Sequence, residues 1–186
     1  MLPADREGVD SMQARARARA NIALVKYWGK SNAALNVPAV GSISITLEAL
    51  WSDTEIEFAS ALKHDSFSLN GEENAAQLRR VTACLDLLRR AAGVDMPARV
   101  VSHNNFPTGA GLASSASGFA ALVGAATLAL GLECTARELS ALARRGSGSA
   151  ARSVFGGFVE MHVGKAADGN DSYACLLYTS PSPRDI

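Results

Sequence analysis

Phe106 to Leu132 reads FPTGAGLASSASGFAALVGAATLALGL, an uncharged segment in which a proline, glycines and serines run straight into an apolar stretch. The spacing predicts a helix over 115–130. Glycines let the backbone approach an anion closely, serine hydroxyls add donors, and the free N–H groups at the start of the helix carry the positive end of its dipole. The loop is therefore a candidate phosphate cradle; its other reading is a turn that caps a helix. The P-loop pattern GxxxxGK[ST] is absent, because no lysine stands at Ser115 or Ser117.

Outward from this segment, Arg99–Ser102 predicts a strand on its upstream side. Downstream, Ala136–Arg144 predicts a helix opened by Thr135 with Glu138 three residues on, a capping-box pattern. Glu72 to Ala92 carries Leu78, Val81, Leu85 and Leu88 at helical spacing and stops at Gly93, with Pro97 beyond. Nearer the N-terminus, Arg15, Arg17 and Arg19 alternate with alanines before NIALVKYWGK, the signature of a strand. Further strands are expected at GSISITLEAL after the Asn36-Val37-Pro38 turn, at Thr54–Ala59, at Ser66–Leu69 closed by Asn70-Gly71, and at VFGGFVEMHVG. Strands and helices mix without regular alternation, which excludes a doubly wound sheet. The expected class is α+β, with helices packed on one face of a mostly antiparallel sheet.

A chain of 186 residues with 48% hydrophobic and 19% charged residues can bury one globular core. Lysine plus arginine equals aspartate plus glutamate at 18 each, so no global field recruits nucleic acid or an anionic membrane, and an anion site must be built locally. The longest apolar run, Gly118 to Leu132, is shorter than a bilayer span, and the first residues contain no signal-peptide core. The expected location is cytoplasmic. Cys84, Cys134 and Cys175 are widely spaced with no histidine near them in sequence, and read as reduced thiols with no metal site. Residues 1–13 read as a mobile leader. Residues 175–186, ending in TSPSPRDI, cannot extend a core strand and read as a non-native tail, which leaves a domain over 14–174.

Three segments share one chemistry. In NIALVKYWGK, Lys26 and Lys30 flank the Gly29 bend and can bracket a polyanion; solvated strand-end lysines are the plainer reading. Asn104 and Asn105 bring amides to the Gly/Ser loop, whereas His103 has no assignable carboxylate or nucleophile and receives no catalytic role. In Gly146–Ser153, two hydroxyls precede an arginine: if Ser149 opens a helical turn, Arg152 lies on its face and can grip a carboxylate or phosphate in two-point fashion.

KYWGK (26–30), NNFPTGAGLASSASGFAAL (104–122), RRGSGSAARSVFGGF (144–158) and GKAADGNDS (164–172), in that order, resemble the N-terminal domain of the diphosphomevalonate decarboxylases. These belong to the galactokinase, homoserine kinase, mevalonate kinase and phosphomevalonate kinase (GHMP) superfamily. The resemblance implies a ribosomal protein S5 domain 2-like fold and ATP-dependent conversion of mevalonate 5-diphosphate to isopentenyl diphosphate. In that reaction the tertiary hydroxyl is phosphorylated, then phosphate and carbon dioxide leave, with Mg²⁺ accompanying the nucleotide. It also implies roles: Asn105, Pro107, Gly109, Ala110, Gly111, Leu112, Ala113, Ser114 and Ser115 at ATP, and Tyr27 and Lys30 at the substrate diphosphate. Ser147, Ser149 and Arg152 would hold the substrate's charged ends, Arg152 its carboxylate, with Asn21 and Lys26 supporting the reacting centre. The family's catalytic aspartate lies in a C-terminal domain, so this chain is expected to be an inactive fragment of an enzyme that is a homodimer at full length. Two other readings stay open: a relative that decarboxylates mevalonate 5-phosphate or stops as a mevalonate 3-kinase, and a non-catalytic module that binds phosphorylated metabolites.

Overall fold

The computed structural model describes residues 10–26, 29–107 and 114–177. Its backbone is a mixed sheet with three helices on one face, the α+β arrangement expected. In chain order the elements are β1 (Ser11–Val25), β2 (Lys30–Asn32), β3 (Val37–Pro38), β4 (Ser42–Ala59), β5 (Ser66–Leu69) and β6 (Glu72–Glu73). Then come α1 (Ala75–Ala92), β7 (Ala98–Asn104), α2 (Ser114–Ala129), α3 (Ala136–Gly146), a 3-10 turn (Ala150–Val154), β8 (Phe158–Met161) and β9 (Ala174–Leu176).

The long strand β4 is the axis. Thr54 pairs with Ala16 of β1 on one side and Ser102 of β7 on the other, and farther along Ser44 pairs with Ala23 and Val159. The order β6-β5-β7-β4-β8-β9 is antiparallel throughout except for β5 and β7, which run parallel across the α1 connection. β2 and β3 form a separate hairpin.

The alternation in β1 decides which face carries the helices. Ala14, Ala16, Ala18 and Ala20 turn inward while Arg15, Arg17 and Arg19 stay exposed. Small side chains let α2 approach closely: a Cβ added at Gly124 would lie 3.3 Å from the Ala16 Cβ. α2 is buried over most of its surface, with Phe119 to Val123 and Ala125 to Thr127 buried and Leu128 exposed. The core joins Ile56, Phe58 and Val100 of the sheet to Leu85 and Leu88 of α1 and Leu130 after α2. On the opposite face Asp53 is closed in by Arg15 (2.5 Å) and Arg17 (2.7 Å), which hold its carboxyl below the usual carboxylate range, with the Arg15 hydrogen bond the largest influence.

Several boundaries differ from the sequence expectation. β1 begins at Ser11, inside the stretch read as leader. The two strands expected at GSISITLEAL and Thr54–Ala59 are one, because a bulge opposite Arg19/Ala20 shifts the register and leaves Glu48 and Ala49 exposed, interrupting the burial pattern. Glu72 and Glu73 belong to a hairpin rather than a helix. Asn70 (φ 55°) and Gly71 (φ 87°) form its left-handed turn, and Asn74 accepts from Gln77 N to start α1. The strand expected from Val154 begins only at Phe158, since Val154 closes the 3-10 turn. β9 carries Cys175 and Leu176, from the stretch read as a tail, into the sheet beside β8.

Candidate active site

GSGSAARS folds as a hinge between α3 and the sheet. Ser147 caps α3 with its N–H on the Ala143 carbonyl (3.1 Å), and the 3-10 turn starts after Ser149. Three residues per turn set Ser149 and Arg152 on one side, as the spacing predicts. Arg152 is 3% exposed. Its Nη1 donates to Ser42 Oγ (2.7 Å) and its Nε to Asn21 Oδ1 (3.3 Å). Asn21 in turn donates to Ser153 Oγ (2.7 Å) and the Ser149 carbonyl (3.1 Å), and the Ser147 and Ser149 hydroxyls lie 3.3 Å apart. Asn21 and Ser42 orient the guanidinium plane. Of the sequence-predicted residues, Asn21, Ser147, Ser149 and Arg152 thus come together, whereas Lys26 follows β1 in an exposed position outside this network.

A basic groove adjoins it. Lys30, Asn36, Arg80, Arg145 and Gly146 line a depression of about 510 Å³ between the β2–β3 hairpin, α1 and the end of α3. Among the described residues no carboxylate pairs with Lys30, Arg80 or Arg145. The groove and the arginine cluster are continuous along the chain from Gly146 into Ser147. Cys84 also lines the groove, and burial pushes its thiol up to about 12, so it stays protonated and unreactive.

On the far side of Arg80 lies a pocket between α1, α2, β5 and β7. Phe67, Leu69 and Phe119 give it apolar walls, and Asn104, Ser114 and Ser115 meet at its polar edge, the first turn of α2. Arg80 joins the two spaces, its guanidinium 4.9 Å over the Phe119 ring and Nη2 donating to the Gly146 carbonyl (3.3 Å). A Cβ on Gly146 would collide with that ring. Gly146→Ala should therefore cost roughly 1–3 kcal/mol in urea unfolding, typical of overpacking, and unchanged stability would show that the ring can yield.

The remaining predicted residues divide. Asn105 directs its amide to β4, accepting from Trp51 N (2.7 Å) and donating to the Ala49 carbonyl (2.7 Å); this pins the exit of β7. Pro107 is exposed at the end of the described segment. Tyr27, Gly109, Ala110, Gly111, Leu112 and Ala113 lie outside the described residues. His103 pairs with Asp53 across β7 and β4 on the face away from the helices.

Sequence reasoning missed Ser42, Ser153, Asn36 and Arg80. The hydroxyls of Ser42, Ser44 and Thr46 alternate along β4 and so share the face of Asn21, a signal available in SISIT. It also left Cys175 without a histidine, but antiparallel pairing of β8 with β9 sets His162 Nε2 3.1 Å from its sulfur. Glu160 joins them, all three donor atoms lying within 4.8 Å. Glu160 pairs with Ile43, which sets this trio on the sheet face opposite Ser42, and its sulfur belongs to the stretch that reads as non-native.

A family model described as the diphosphomevalonate decarboxylase-like N-terminal domain matches residues 18–174. The diphosphomevalonate decarboxylase of Gibberella zeae is 44% identical over 180 residues, covering 89% of this chain and 47% of its own length. The mevalonate diphosphate decarboxylase of Enterococcus faecalis superposes with a TM-score of 0.85 at 45% identity, covering 90% of this chain and 52% of that one. A solved complex of MDDEF with MVAPP, AMPPCP and magnesium gives 0.85 at 46% identity, with 90% and 51% covered. The chain thus spans about half the length of the relatives it matches. The match runs from the middle of β1 to the start of β9 and takes in the Arg152 cluster, the basic groove and the loop before α2: the chain belongs to the diphosphomevalonate decarboxylase family, within its N-terminal domain.

Proposed function

We propose that this chain provides the nucleotide- and substrate-binding half of an ATP-dependent decarboxylase acting on mevalonate 5-diphosphate and yielding isopentenyl diphosphate. The observation that carries the reading is the continuous strip from Lys30, Arg80 and Arg145 through Ser147 and Ser149 to Arg152. A substrate with a diphosphate at one end and a carboxylate at the other lies along it, diphosphate in the groove and carboxylate on Arg152. The ATP phosphates lie at the loop before α2, with the nucleoside in the adjoining cavity. Arg80 stands between the two anions and screens their repulsion.

Phosphorylation of the tertiary hydroxyl followed by loss of phosphate and carbon dioxide requires alignment and charge stabilisation rather than covalent help from the protein. Arg152, held in plane by Ser42 and Asn21, aligns the carboxylate with the breaking C–O bond. Among the described residues the cavity's lining contains hydroxyls, amides and the Arg80 guanidinium but no carboxylate. Such a donor set fits Mg²⁺ bound chiefly through nucleotide phosphates and water, with the Ser114 and Ser115 hydroxyls nearby. Bound there, the ion supplies charge neutralisation to the phosphoryl groups. No general base is assigned to this chain; the resemblance locates the family's aspartate in a second domain.

The reaction is tested with the longer protein that contains this half, by following ADP and carbon dioxide release with mevalonate 5-diphosphate, the 5-monophosphate and mevalonate. Preference for the diphosphate is expected. Equal kcat/KM for the monophosphate would move the assignment to a monophosphate enzyme, and ADP release without carbon dioxide would move it to a 3-kinase. The nucleotide site has its own test. Ser115→Ala should weaken ATP about two- to tenfold in direct titration, the worth of one hydrogen bond. Unchanged affinity would take Ser115 off the phosphates.

A further inference from the structure

The turn between β2 and β3 is built around a residue that the assignment above leaves unused. Asn36 is in the left-handed region (φ 53°), which asparagine tolerates better than most side chains. Its amide faces two ways. Oδ1 accepts from Lys30 Nζ at 2.7 Å, and Nδ2 donates to the Arg145 carbonyl at 2.9 Å. The turn is also anchored from below: Arg144, 0% exposed, donates to the carbonyl of Leu35 and, from its other nitrogens, to those of Gly169 (2.7 Å) and Ser172 (2.9 Å). Both arginines at the end of α3 therefore grip the hairpin, one through its side chain and one through its backbone.

An exposed lysine normally samples many rotamers and loses side-chain entropy when fixed. Here the Asn36 amide holds the ammonium before any ligand arrives. The ammonium has three donors, so two remain for an anion. We propose that Asn36 is a positioning residue: it aims Lys30 into the groove beside Arg80 and Arg145, so that three cations converge, and thereby favours a diphosphate over a monophosphate. This rests on the reading of the groove as the diphosphate seat.

The test titrates inorganic pyrophosphate and inorganic phosphate into the chain, comparing the parent with Asn36→Gly, Lys30→Ala and the double variant. Glycine accepts the same left-handed backbone and removes only the amide. Asn36→Gly should weaken pyrophosphate about three- to tenfold, phosphate much less, and have no further effect once Lys30 is alanine. Equal weakening in both backgrounds would make Asn36 a turn former only and overturn the inference. Loss with Lys30→Ala but none with Asn36→Gly would overturn it while leaving the groove as the diphosphate seat. No loss with Lys30→Ala would remove the groove reading itself. Should Asn36→Gly lose its fold by circular dichroism, Asn36→Asp carries the test. It keeps the acceptor but sets a negative charge against Lys30, so pyrophosphate should weaken more than phosphate, and a variant that binds both as the parent does would refute the positioning role.

Discussion

Arg152→Lys is expected to lower kcat by about ten- to a hundredfold in the enzyme that contains this half, with ATP affinity unchanged. The guanidinium donates from Nη1 to Ser42 and from Nε to Asn21. That leaves its plane committed to one orientation in a 3%-exposed site. An ammonium retains the charge but cannot meet both partners and still present two parallel donors to a carboxylate. The loss corresponds to one charge-assisted contact, roughly 1.5–3 kcal/mol. Because the carboxylate departs as carbon dioxide, misalignment should fall on kcat more than on KM. Parental kcat and KM with a folded variant would show that Arg152 does not touch substrate, and the hinge from Gly146 to Ser153 would then be structural only.

What was readable in the sequence follows from how local each feature is. The loop before α2 stood out because it carries no charge, and Arg152 because it lies three residues from Ser149, within one turn. Its partners were not readable: Ser42 is 110 residues away in sequence and Asn21 is 131, and both arrive through the pairing of β1, β4 and β8. Lys30 stands out in KYWGK, but its partner Asn36 reads as an ordinary turn residue two positions before a proline. Only the folded hairpin shows that its amide bridges Lys30 to α3. The same distance effect hid the continuity of β4, since a bulge breaks the alternation by which strands are recognised. Asn105 shows the converse. It has the chemistry of a ligand group and a place beside the loop, yet its amide completes the edge of β4.

A second large effect is expected away from the site, at the buried pair that fixes α1 to the sheet. Asp65 accepts from Arg89 at both carboxylate oxygens, from Thr82 Oγ1 (2.8 Å) and from Ala98 N (2.8 Å). Arg89 is 8% exposed, and also donates to the Met96 carbonyl (2.9 Å) and to Asp86 (2.9 Å). One carboxylate thus joins the loop after β4, the middle of α1 and the start of β7. Among the described residues, Asp65→Ala leaves the buried guanidinium with the Met96 carbonyl and one partly exposed carboxylate, Asp86, along with an orphaned Ala98 N–H. Removing one member of such a pair costs about 3–5 kcal/mol, and Asp86 holds the expected value near 3. For a chain of this size that lowers Tm by about 6–12 °C. The pH dependence separates this from simple loss of packing. Burial, the largest single influence on Asp65, pushes its carboxyl up, but the Arg89 guanidinium, the Ala98 N–H and the Thr82 hydroxyl together hold it below the usual range. A carboxyl whose pKa is lower folded than unfolded stabilises fully above the unfolded value, about 3.9, and loses that contribution as the pH falls through the folded one. Asp65→Asn, which keeps the shape, should therefore be less stable than the parent at pH 7, and the gap should narrow below about pH 4. A gap that stays constant from pH 7 to pH 2 in urea unfolding would show that the Asp65 charge contributes nothing and that shape alone holds α1 in place.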